Sequence, residues 1–339
     1  MSSDTTEKTE VVTKVDHNFK LHTYDKLRKW EQTRTPEYFE YRTRWENAPL
    51  EKALERFPIH LDIEATSNCN LLCTMCPRTD MIEDGTFWKV ENMSFEFYKR
   101  FIDEGVQKGL CSVKFNYLGE PLMNREIFKW VAYAKEKGVV DVMFNTNATL
   151  LTARNSRRLI ESGLDKLFFS FDSPNKEHYE RIRVKGKFQK TFDNIVRFHE
   201  IRAEMGSITP YTRVSMVRLE ENEHECDQFL ELFENVVDSV GFCQYLDHSN
   251  KTKDQEIIKK KKNTFCCPQL WQRMFIHPDG VVTVCCNDAA RTLKVGDFNE
   301  SNLEDIWLGD EYTRLRELHQ TGRIDEIDTC RNCSLAQLE

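Results

Sequence analysis

Residues 60–78 of the chain read HLDIEATSNCNLLCTMCPR. They place Cys69, Cys73 and Cys76 at C-x3-C-x2-C spacing directly after a strand-like run. Three thiolates that converge on one point can hold three irons of a four-iron cluster and leave the fourth iron open. A structural zinc site needs a fourth ligand close by, and no further cysteine follows before Cys111. The spacing therefore favours an iron–sulfur cluster with one open iron over buried or zinc-binding cysteines.

The composition limits the classes of function. The chain has 339 residues, 40% hydrophobic and 31% charged, which suits one large and one small globular domain. Its net charge of −8 argues against nucleic-acid binding, which needs a basic face, and against anionic membrane surfaces. No apolar run reaches the length of a membrane span, and residues 1–20 lack the apolar region of a secretion signal. We therefore expect a cytoplasmic protein without nucleic-acid or membrane partners.

The chain contains twelve cysteines, which the cytoplasm would keep reduced. Metal ligation is therefore a better interpretation than disulfide bonding. Three cysteines lie near residue 70, six follow residue 265, and three are scattered. The scattered ones, Cys111, Cys226 and Cys243, are most simply small buried side chains.

Four segments can be distinguished along the chain. Residues 1–56 form an N-terminal extension, of which the first 20 are polar and predicted to be disordered, whereas the remainder shows helical periodicity. Residues 57–247 alternate strand-like and helical patterns. Residues 248–263 are charged, poorly periodic and predicted to be a linker. Residues 264–339 contain the last six cysteines.

The second segment predicts the fold class. Its strand-like runs are Phe57–Ala65, Ser112–Leu118, Val139–Asn145, Lys166–Phe171, Thr212–Arg218 and Ser239–Tyr245. Helices are predicted from the N-cap residues Ser94 and Thr152, and over about 191–205 and 223–235. This alternation implies parallel strands with right-handed crossovers. The six units predict an α/β fold, a partial (β/α)6 TIM-like barrel, whose chemistry lies at the C-terminal strand ends.

A second metal site is predicted in residues 264–339, which we interpret as a small β-hairpin/helix cluster-binding domain. A Pro-Asp-Gly turn ending at Gly280 separates two apolar runs and predicts the hairpin. Four thiols are enough to saturate one cluster: Cys330 and Cys333, at the metal-chelating C-x2-C spacing, with one thiol from Cys266–Cys267 and one from Cys285–Cys286. A zinc ribbon held by the same four cysteines is the alternative. The adjacent Cys266 and Cys286 could each replace its neighbour as a ligand, because neighbours in a strand face opposite ways.

These patterns resemble the radical S-adenosylmethionine (SAM) enzymes with a C-terminal SPASM/twitch-type auxiliary domain. The first cysteine trio matches the family signature, and Cys267, Gly280 and Cys285 match the opening of the auxiliary domain. The resemblance implies a SAM-binding [4Fe-4S] cluster, an auxiliary [4Fe-4S] cluster and SAM as cofactors. A single auxiliary cluster is similar to the arrangement in 2-deoxy-scyllo-inosamine dehydrogenase-like enzymes and in sugar epimerases.

The resemblance also implies residues that bind SAM. Gly119, Glu120 and Pro121 resemble the family's Gly-Gly-Glu-Pro stretch, which receives the methionine amino group, although Leu118 replaces the first glycine. Met75 occupies the family's position beside the adenine. As an alternative, the Gly-Glu-Pro sequence is simply a turn.

Three later strand ends carry further SAM-binding candidates. Asn145 and Asn147 resemble the family's Thr-Asn-Gly stretch, or they cap local backbone. Ser170 and Asp172 share one strand face and match the family's position near the ribose and carboxylate; Asp172 could otherwise cap the following helix. Arg213 would pair with the SAM carboxylate, or it is an ordinary surface arginine.

For the activity, the resemblance implies reductive cleavage of SAM to a 5′-deoxyadenosyl radical, with electrons from an external donor such as flavodoxin or ferredoxin. We predict hydrogen abstraction from a carbohydrate or nucleotide-sugar-like alcohol and oxidation to a ketone through the auxiliary cluster. Catalytic candidates are Arg213, Cys243 and Tyr245, the last two on the sixth strand-like run. Epimerisation of a sugar, with Cys243 returning hydrogen, maturation of a ribosomally made peptide, and a non-catalytic scaffold are the alternatives.

Overall fold

The computed structural model describes residues 12–16, 19–23, 26–87, 89–245, 265–331, 333 and 336. The linker predicted over residues 248–263 lies outside them. The strands are β1 Val12–Asp16, β2 Phe19–Thr23, β3 His60–Ile63, β4 Leu72–Cys73, β5 Ser112–Phe115, β6 Asp141–Thr146, β7 Lys166–Ser170, β8 Arg183–Val184, β9 Tyr211–Arg218, β10 Ser239–Gln244, β11 Arg273–Ile276, β12 Val281–Thr283 and β13 Lys294–Asp297.

The helices alternate with these strands through most of the chain. They are α1 Lys26–Glu31, α2 Pro36–Glu51, α3 Pro77–Glu83, α4 Phe95–Val106, α5 Ile127–Glu136, α6 Ala153–Glu161, α7 Lys176–Ile182, α8 Phe188–Glu204, α9 Cys226–Phe233, α10 Gln269–Gln272, α11 Leu303–Leu308, α12 Asp310–Gln320 and α13 Asp328–Arg331. Ser94 and Thr152 cap α4 and α6 as predicted, each accepting a backbone hydrogen bond from three residues ahead. Among the described helices, none is both long and apolar enough to span a membrane.

Six parallel strands form the barrel wall in the order β3-β5-β6-β7-β9-β10. They correspond to the six strand-like runs, so the predicted α/β class and partial barrel are confirmed. Side chains alternate across each strand: Leu61 and Val113 belong to the hydrophobic core, whereas His60 and Lys114 line a cavity inside the barrel. We call the space enclosed by the inward-facing side chains the lumen.

The C-terminal segment extends the same sheet. Strand β11 pairs parallel to β3, and β12 and β13 follow in antiparallel order. The predicted hairpin is present as β11 and β12, with Gly280 at φ +94° in the turn, where glycine is favoured. The C-terminal cysteines are thereby fixed against the first strand of the barrel.

The N-terminal segment extends the opposite edge and corrects one prediction. Strand β2 pairs antiparallel with β10, and β1 pairs with β2, so residues 12–16 and 19–20 are strands rather than a disordered tail. An exposed edge strand offers unpaired backbone groups that a neighbouring segment can satisfy. The polar composition of the tail gave no sign of these strands, because pairing at a sheet edge uses backbone groups and does not require an apolar side-chain pattern.

Helices α1 and α2 close the barrel at the N-terminal strand ends. They bury Trp30, Tyr38 and Tyr41. The Lys166 ammonium at the start of β7 donates to the Tyr38 hydroxyl at 3.0 Å, and the Gln272 side-chain amide donates to the Trp45 carbonyl at 2.7 Å. Helices were predicted for the second part of the extension, and they begin at residue 26. Residues 21–23 belong instead to β2.

Candidate active site

The first cysteine trio lies in the loop between β3 and α3, at the C-terminal end of the first barrel strand. Cys69, Cys73 and Cys76 are all half-buried. The backbone N–H of Cys76 donates to the Cys73 carbonyl at 3.1 Å, which closes a turn between them. Burial raises the pKa of Cys73 to about 12, while Arg183 opposes this shift. Metal coordination deprotonates a thiol despite such burial.

Three backbone and side-chain contacts fix this loop to the barrel. Strand β4, which contains Cys73, pairs antiparallel with β8 so that Cys73 lies opposite Arg183. The Arg78 guanidinium donates to the Ser67 carbonyl at 3.0 Å. The backbone N–H of Glu120 donates to the Asn68 carbonyl at 2.8 Å. The loops after β3 and β5 are therefore held against each other.

Gly119 is required by this close approach. A Cβ atom at Gly119 would lie 1.8 Å from the Thr66 carbonyl oxygen, which is backbone and cannot move aside by a rotamer change. The glycine of the Gly-Glu-Pro stretch thus has a packing reason that is visible in this chain.

We expect Gly119→Ala to destabilise the protein by at least about 3 kcal/mol, because relieving a backbone overlap displaces both loops. Chemical denaturation of the reconstituted protein, with its iron content, would measure this. Gly85→Ala is the matched control, since no atom lies within 4 Å of its added Cβ and only the positive φ is penalised, at about 1–2 kcal/mol. Equal losses for the two variants would contradict the close-approach argument.

Glu120 is buried and hydrogen-bonded to the protein, unlike a carboxylate that is free to bind a ligand. Its side chain is 3% exposed and accepts hydrogen bonds from the Thr146 hydroxyl at 2.7 Å, the Asn147 N–H at 2.7 Å and the Leu122 N–H at 3.1 Å. Burial raises the pKa of Glu120, and these hydrogen bonds oppose the shift. A carboxylate has about four acceptor positions, so the main visible role of Glu120 is to orient the loop after β6.

That loop carries the two asparagines. The Asn147 amide donates to Asn70 Oδ1 at 3.0 Å and lies 3.9 Å from Cys69 Sγ, so it is beside the cysteine loop. Asn145 is half-buried on β6, and its Oδ1 is a buried acceptor without a hydrogen-bond partner among the described residues. A buried unpaired acceptor is a place where a ligand donor would be stabilising.

Asp172 binds an arginine that the sequence analysis missed. The Asp172 carboxylate pairs with the Arg183 guanidinium at 2.6 Å and accepts from the Val217 N–H at 2.9 Å. Arg183 Nη1 in turn lies 3.9 Å from Cys73 Sγ, and Arg183 Nε is buried without a partner among the described residues. Neither interpretation of Asp172 from the sequence included this ion pair, because Arg183 belongs to no motif. The role of Arg183 becomes visible only from its position opposite Cys73 in the structure.

The remaining candidates lie on the barrel strands or in the cysteine loop: Ser170 and Arg213 are on β7 and β9, and Met75 is between Cys73 and Cys76. Ser170 and Met75 are half-buried. Arg213 stacks on the Phe168 ring at 4.0 Å, and its Nε donates to Ser215 Oγ at 3.0 Å. Tyr245 is half-buried just after β10.

Cys243 faces the lumen rather than the helices. Burial raises the pKa of its thiol, and the charges acting on it are those of Arg213, Asp172, Lys114 and Arg218. Its strand neighbour Phe242 instead packs against the Phe229 ring of α9, at 5.8 Å between centroids. These neighbours favour Cys243 as a thiol that faces the lumen over Cys243 as an ordinary core residue.

The four predicted C-terminal cysteines line one small pocket. Its volume is about 30 Å³ and its lining is mostly apolar. Four thiols contribute to it, and they are Cys267, Cys285, Cys330 and Cys333. The His319 Nδ1 accepts from the Cys267 N–H at 3.2 Å, which fixes the start of α10 beside the pocket.

The two adjacent cysteines are placed outside that pocket lining. Cys286 Sγ accepts from the Gln269 amide at 3.3 Å, and a hydrogen bond from the Cys285 thiol, together with Arg273, lowers the pKa of Cys286. Cys266 is half-buried. This placement favours Cys267 and Cys285 over their neighbours as the pair that faces the other two cysteines.

The residues present fit two clusters and SAM. Cys69 and Cys76 act electrostatically on each other and on Cys73, so the three sulfurs converge. Arg183 Nε is a buried donor without a partner among the described residues, beside Cys73, and Asn145 Oδ1 on β6 is a buried acceptor without one. The C-terminal pocket supplies four thiols and few competing polar groups, as a fully ligated iron–sulfur cluster requires.

Comparisons with known proteins agree with this geometry. Residues 63–233 match the family model of the Radical SAM superfamily, and residues 266–334 match SPASM, an iron-sulfur cluster-binding domain. A probable GTP 3′,8-cyclase of Methanocella arvoryzae is 30% identical over 222 residues, 63% of this chain and 67% of that protein. The S-adenosyl-L-methionine-dependent 2-deoxy-scyllo-inosamine dehydrogenase of Niallia circulans is 21% identical over 282 residues, 81% of this chain and 92% of that protein.

Some relatives are considerably longer than this chain. Molybdenum cofactor biosynthesis protein 1 of Drosophila melanogaster is 26% identical over 255 residues, which are 74% of this chain but 42% of that protein.

Two solved structures share the fold. BtrN in complex with AdoMet and 2-DOIA has a TM-score of 0.56 at 16% identity, covering 83% of this chain and 94% of BtrN. Streptococcus suis SuiB bound to S-adenosylmethionine has a TM-score of 0.63 at 14% identity, covering 98% of this chain and 94% of SuiB. At these identities the likeness concerns the fold alone. The two family models, the first of which covers half of the chain, show that the chain belongs to the radical SAM superfamily and carries a C-terminal SPASM domain.

Proposed function

We propose that this chain is a radical SAM oxidoreductase that oxidises a carbohydrate-like alcohol to a ketone. One observation carries the proposal: charged side chains extend from the first cysteine site to Cys243, and other charged side chains extend from the lumen to the C-terminal cysteines. Arg183 connects Cys73 to Asp172, and Asp172 acts on Cys243. A substrate between the sites would be within reach of both.

A second group of charged side chains extends from the lumen to the C-terminal pocket. Lys114 interacts with Asp62, Arg213 and Arg273. Arg273 pairs with Asp62 at 3.2 Å and interacts with Cys286 and Cys267. Arg273 therefore brings the lumen close to the C-terminal pocket, and such closeness is what electron transfer from a substrate to a cluster in the pocket would need.

The proposed roles of the residues follow from these positions. Cys69, Cys73 and Cys76 would hold the SAM-binding [4Fe-4S] cluster, and the four pocket cysteines would hold the auxiliary cluster. When bound, the first cluster and SAM supply the abstraction of a hydrogen atom from an unactivated C–H. Asn145 and Arg183 would bind polar groups of SAM, and Asp172 would keep Arg183 oriented. Met75, Gly119, Asn147 and Ser170 complete the proposed SAM site.

The overall oxidation would need three acceptors. The carbinol carbon would lose its hydrogen atom to the 5′-deoxyadenosyl radical, the hydroxyl would lose its proton to a base in the lumen, and one electron would pass to the auxiliary cluster. Arg213 and Tyr245 are proposed as lumen residues that contact the substrate. The electron that cleaves SAM comes from an external donor such as flavodoxin or ferredoxin, and we propose the cytoplasm as the compartment, since it keeps the cysteines reduced.

A sugar epimerase is the second candidate, and the lumen position of Cys243 favours it. A thiol on the face opposite the abstracted hydrogen could return a hydrogen atom and invert the carbon. In that case no electron leaves the substrate, so the product has the oxidation state of the substrate.

The test is incubation of the reconstituted chain with SAM, dithionite and candidate sugars. We expect 5′-deoxyadenosine in every reaction, with more of it and a ketone product when the right sugar is present. Absence of 5′-deoxyadenosine under all conditions would contradict the function.

Cys243→Ala separates the two candidates, with Cys226→Ala on α9 as the control thiol outside the lumen. Oxidation should continue in both variants. If Cys243→Ala alone stops turnover, and wild-type product made in D2O carries carbon-bound deuterium, the epimerase assignment replaces the oxidoreductase.

A further inference from the structure

A second feature of the lumen is not explained by the cysteine sites. A cavity of about 430 Å³ lies between the N-terminal strand ends and helices α1 and α2. Its volume suits a ligand of the size of a substituted sugar. Four cations from separate strands line it, and they are Lys114, Lys166, Arg213 and Arg273.

Two of these cations have carboxylate partners inside the barrel. Lys166 pairs with Asp141 at 2.6 Å. Arg273 pairs with Asp62 at 3.2 Å and stacks on Trp45 at 4.9 Å. These pairs are structural, because each joins neighbouring strands of the barrel.

Lys114 differs from them. Among the described residues no carboxylate lies within ion-pair distance of its ammonium. The strongest attraction on it comes from Asp62, which Arg273 and His60 already share. Burial lowers the pKa of Lys114, and the nearby Arg213 and Arg273 add to the shift while Asp62 opposes it. A partly buried ammonium beside two guanidinium groups is costly unless an anion joins it.

The acidic side chains that line the cavity do not fill this role. Glu31 and Glu46 belong to the helical cover rather than to the strands. Glu46 lies 3.7 Å from Arg42, one turn away on α2. Neither carboxylate forms an ion pair with Lys114 among the described residues.

We propose that Lys114, Arg213 and Arg273 bind an oxyanion of the substrate, so that the substrate is an anionic sugar derivative rather than a neutral sugar. The inference rests on the proposed function and specifies its substrate class. Both guanidinium groups are stacked on aromatic rings, Phe168 and Trp45, and such fixed planes suit bidentate binding of phosphate or carboxylate.

The position of the oxyanion would also orient the substrate. Arg213 interacts electrostatically with Cys243, and so does Asp172. Asp172 pairs with Arg183, which lies beside Cys73. An oxyanion held at Lys114 would direct the rest of the sugar toward the C-terminal strand ends, where the proposed hydrogen abstraction takes place.

The test is equilibrium binding to the cluster-loaded chain by calorimetry, without reductant. The probes are glucose, glucose 1-phosphate, glucuronate and UDP-glucose. We expect at least one anionic probe to bind at least tenfold more tightly than glucose, with affinity falling as salt is added. Lys114→Met should weaken that probe at least tenfold, whereas Lys190→Met, at an exposed position on α8, should leave it unchanged.

The choice among the three anionic probes identifies the kind of oxyanion that the site binds. Preference for glucose 1-phosphate supports a sugar phosphate, preference for UDP-glucose a nucleotide sugar, and preference for glucuronate a carboxylate. Lys114→Arg keeps the charge and should retain binding if Lys114→Met fails to load clusters. Anionic probes that bind no better than glucose, or binding that Lys114→Met and Lys114→Arg leave unchanged, would overturn the inference. Because this assay needs no SAM cleavage, its failure is separate from failure of the proposed function.

Discussion

Replacing Cys330 and Cys333 together with alanine is expected to lower the iron content of the reconstituted chain from about eight to about four atoms, while SAM cleavage continues. The two thiols line the same pocket as Cys267 and Cys285. Two remaining ligands cannot hold a cluster, whereas the trio at Cys69 is untouched. Formation of the ketone should stop, because the substrate electron would have no acceptor.

The measurements are iron and zinc content, the electron paramagnetic resonance of the reduced protein and the yields of 5′-deoxyadenosine and ketone. Cys266→Ala is the matched control, since Cys266 adjoins Cys267 but does not line the pocket; it should keep about eight irons. Retention of about eight irons by the double variant would contradict the assignment of the pocket. Stoichiometric zinc in the wild-type pocket would replace it with a zinc ribbon.

The barrel was predictable because its strands carry local signals. Each of the six parallel strands lies within one residue of a predicted run, since their apolar faces recur with period two between helical segments. The hairpin at Gly280 was predictable for a similar reason, because its turn residues are specific.

Contacts between distant segments were not predictable. Strand β11 pairs with β3 through backbone groups that are far apart in sequence: Arg273 lies opposite His60, 213 residues earlier. No residue pattern encodes this pairing. The same holds for β2 beside β10.

The candidate site divides in the same way. Cysteine spacing is local, so both cysteine sets could be named from sequence, and the choice of Cys285 over Cys286 needed the strand geometry. Lys114 and Arg183 belong to no motif. Their importance arises only from what faces them: a cationic wall for Lys114 and the Asp172 carboxylate beside Cys73 for Arg183.

Asp172→Ala is expected to destabilise the chain by about 3–5 kcal/mol, because it leaves the Arg183 guanidinium buried without its partner. It should also lower SAM cleavage per folded molecule at least tenfold, because Arg183 then no longer keeps its position beside Cys73. Denaturation curves and single-turnover yields of 5′-deoxyadenosine measure the two effects separately.

Asp238→Ala is the matched control for that variant. Asp238 pairs with Arg202 at 2.5 and 2.9 Å and is as well buried as Asp172, but it lies at the start of β10, away from the cysteine loop. It should lose a similar amount of stability and keep SAM cleavage per folded molecule. If both variants keep cleavage, the Asp172–Arg183 pair only stabilises the fold. If Asp172→Ala alone loses cleavage while retaining about four irons at the first site, the pair positions SAM rather than the cluster, which is the outcome that the unpartnered Arg183 Nε predicts.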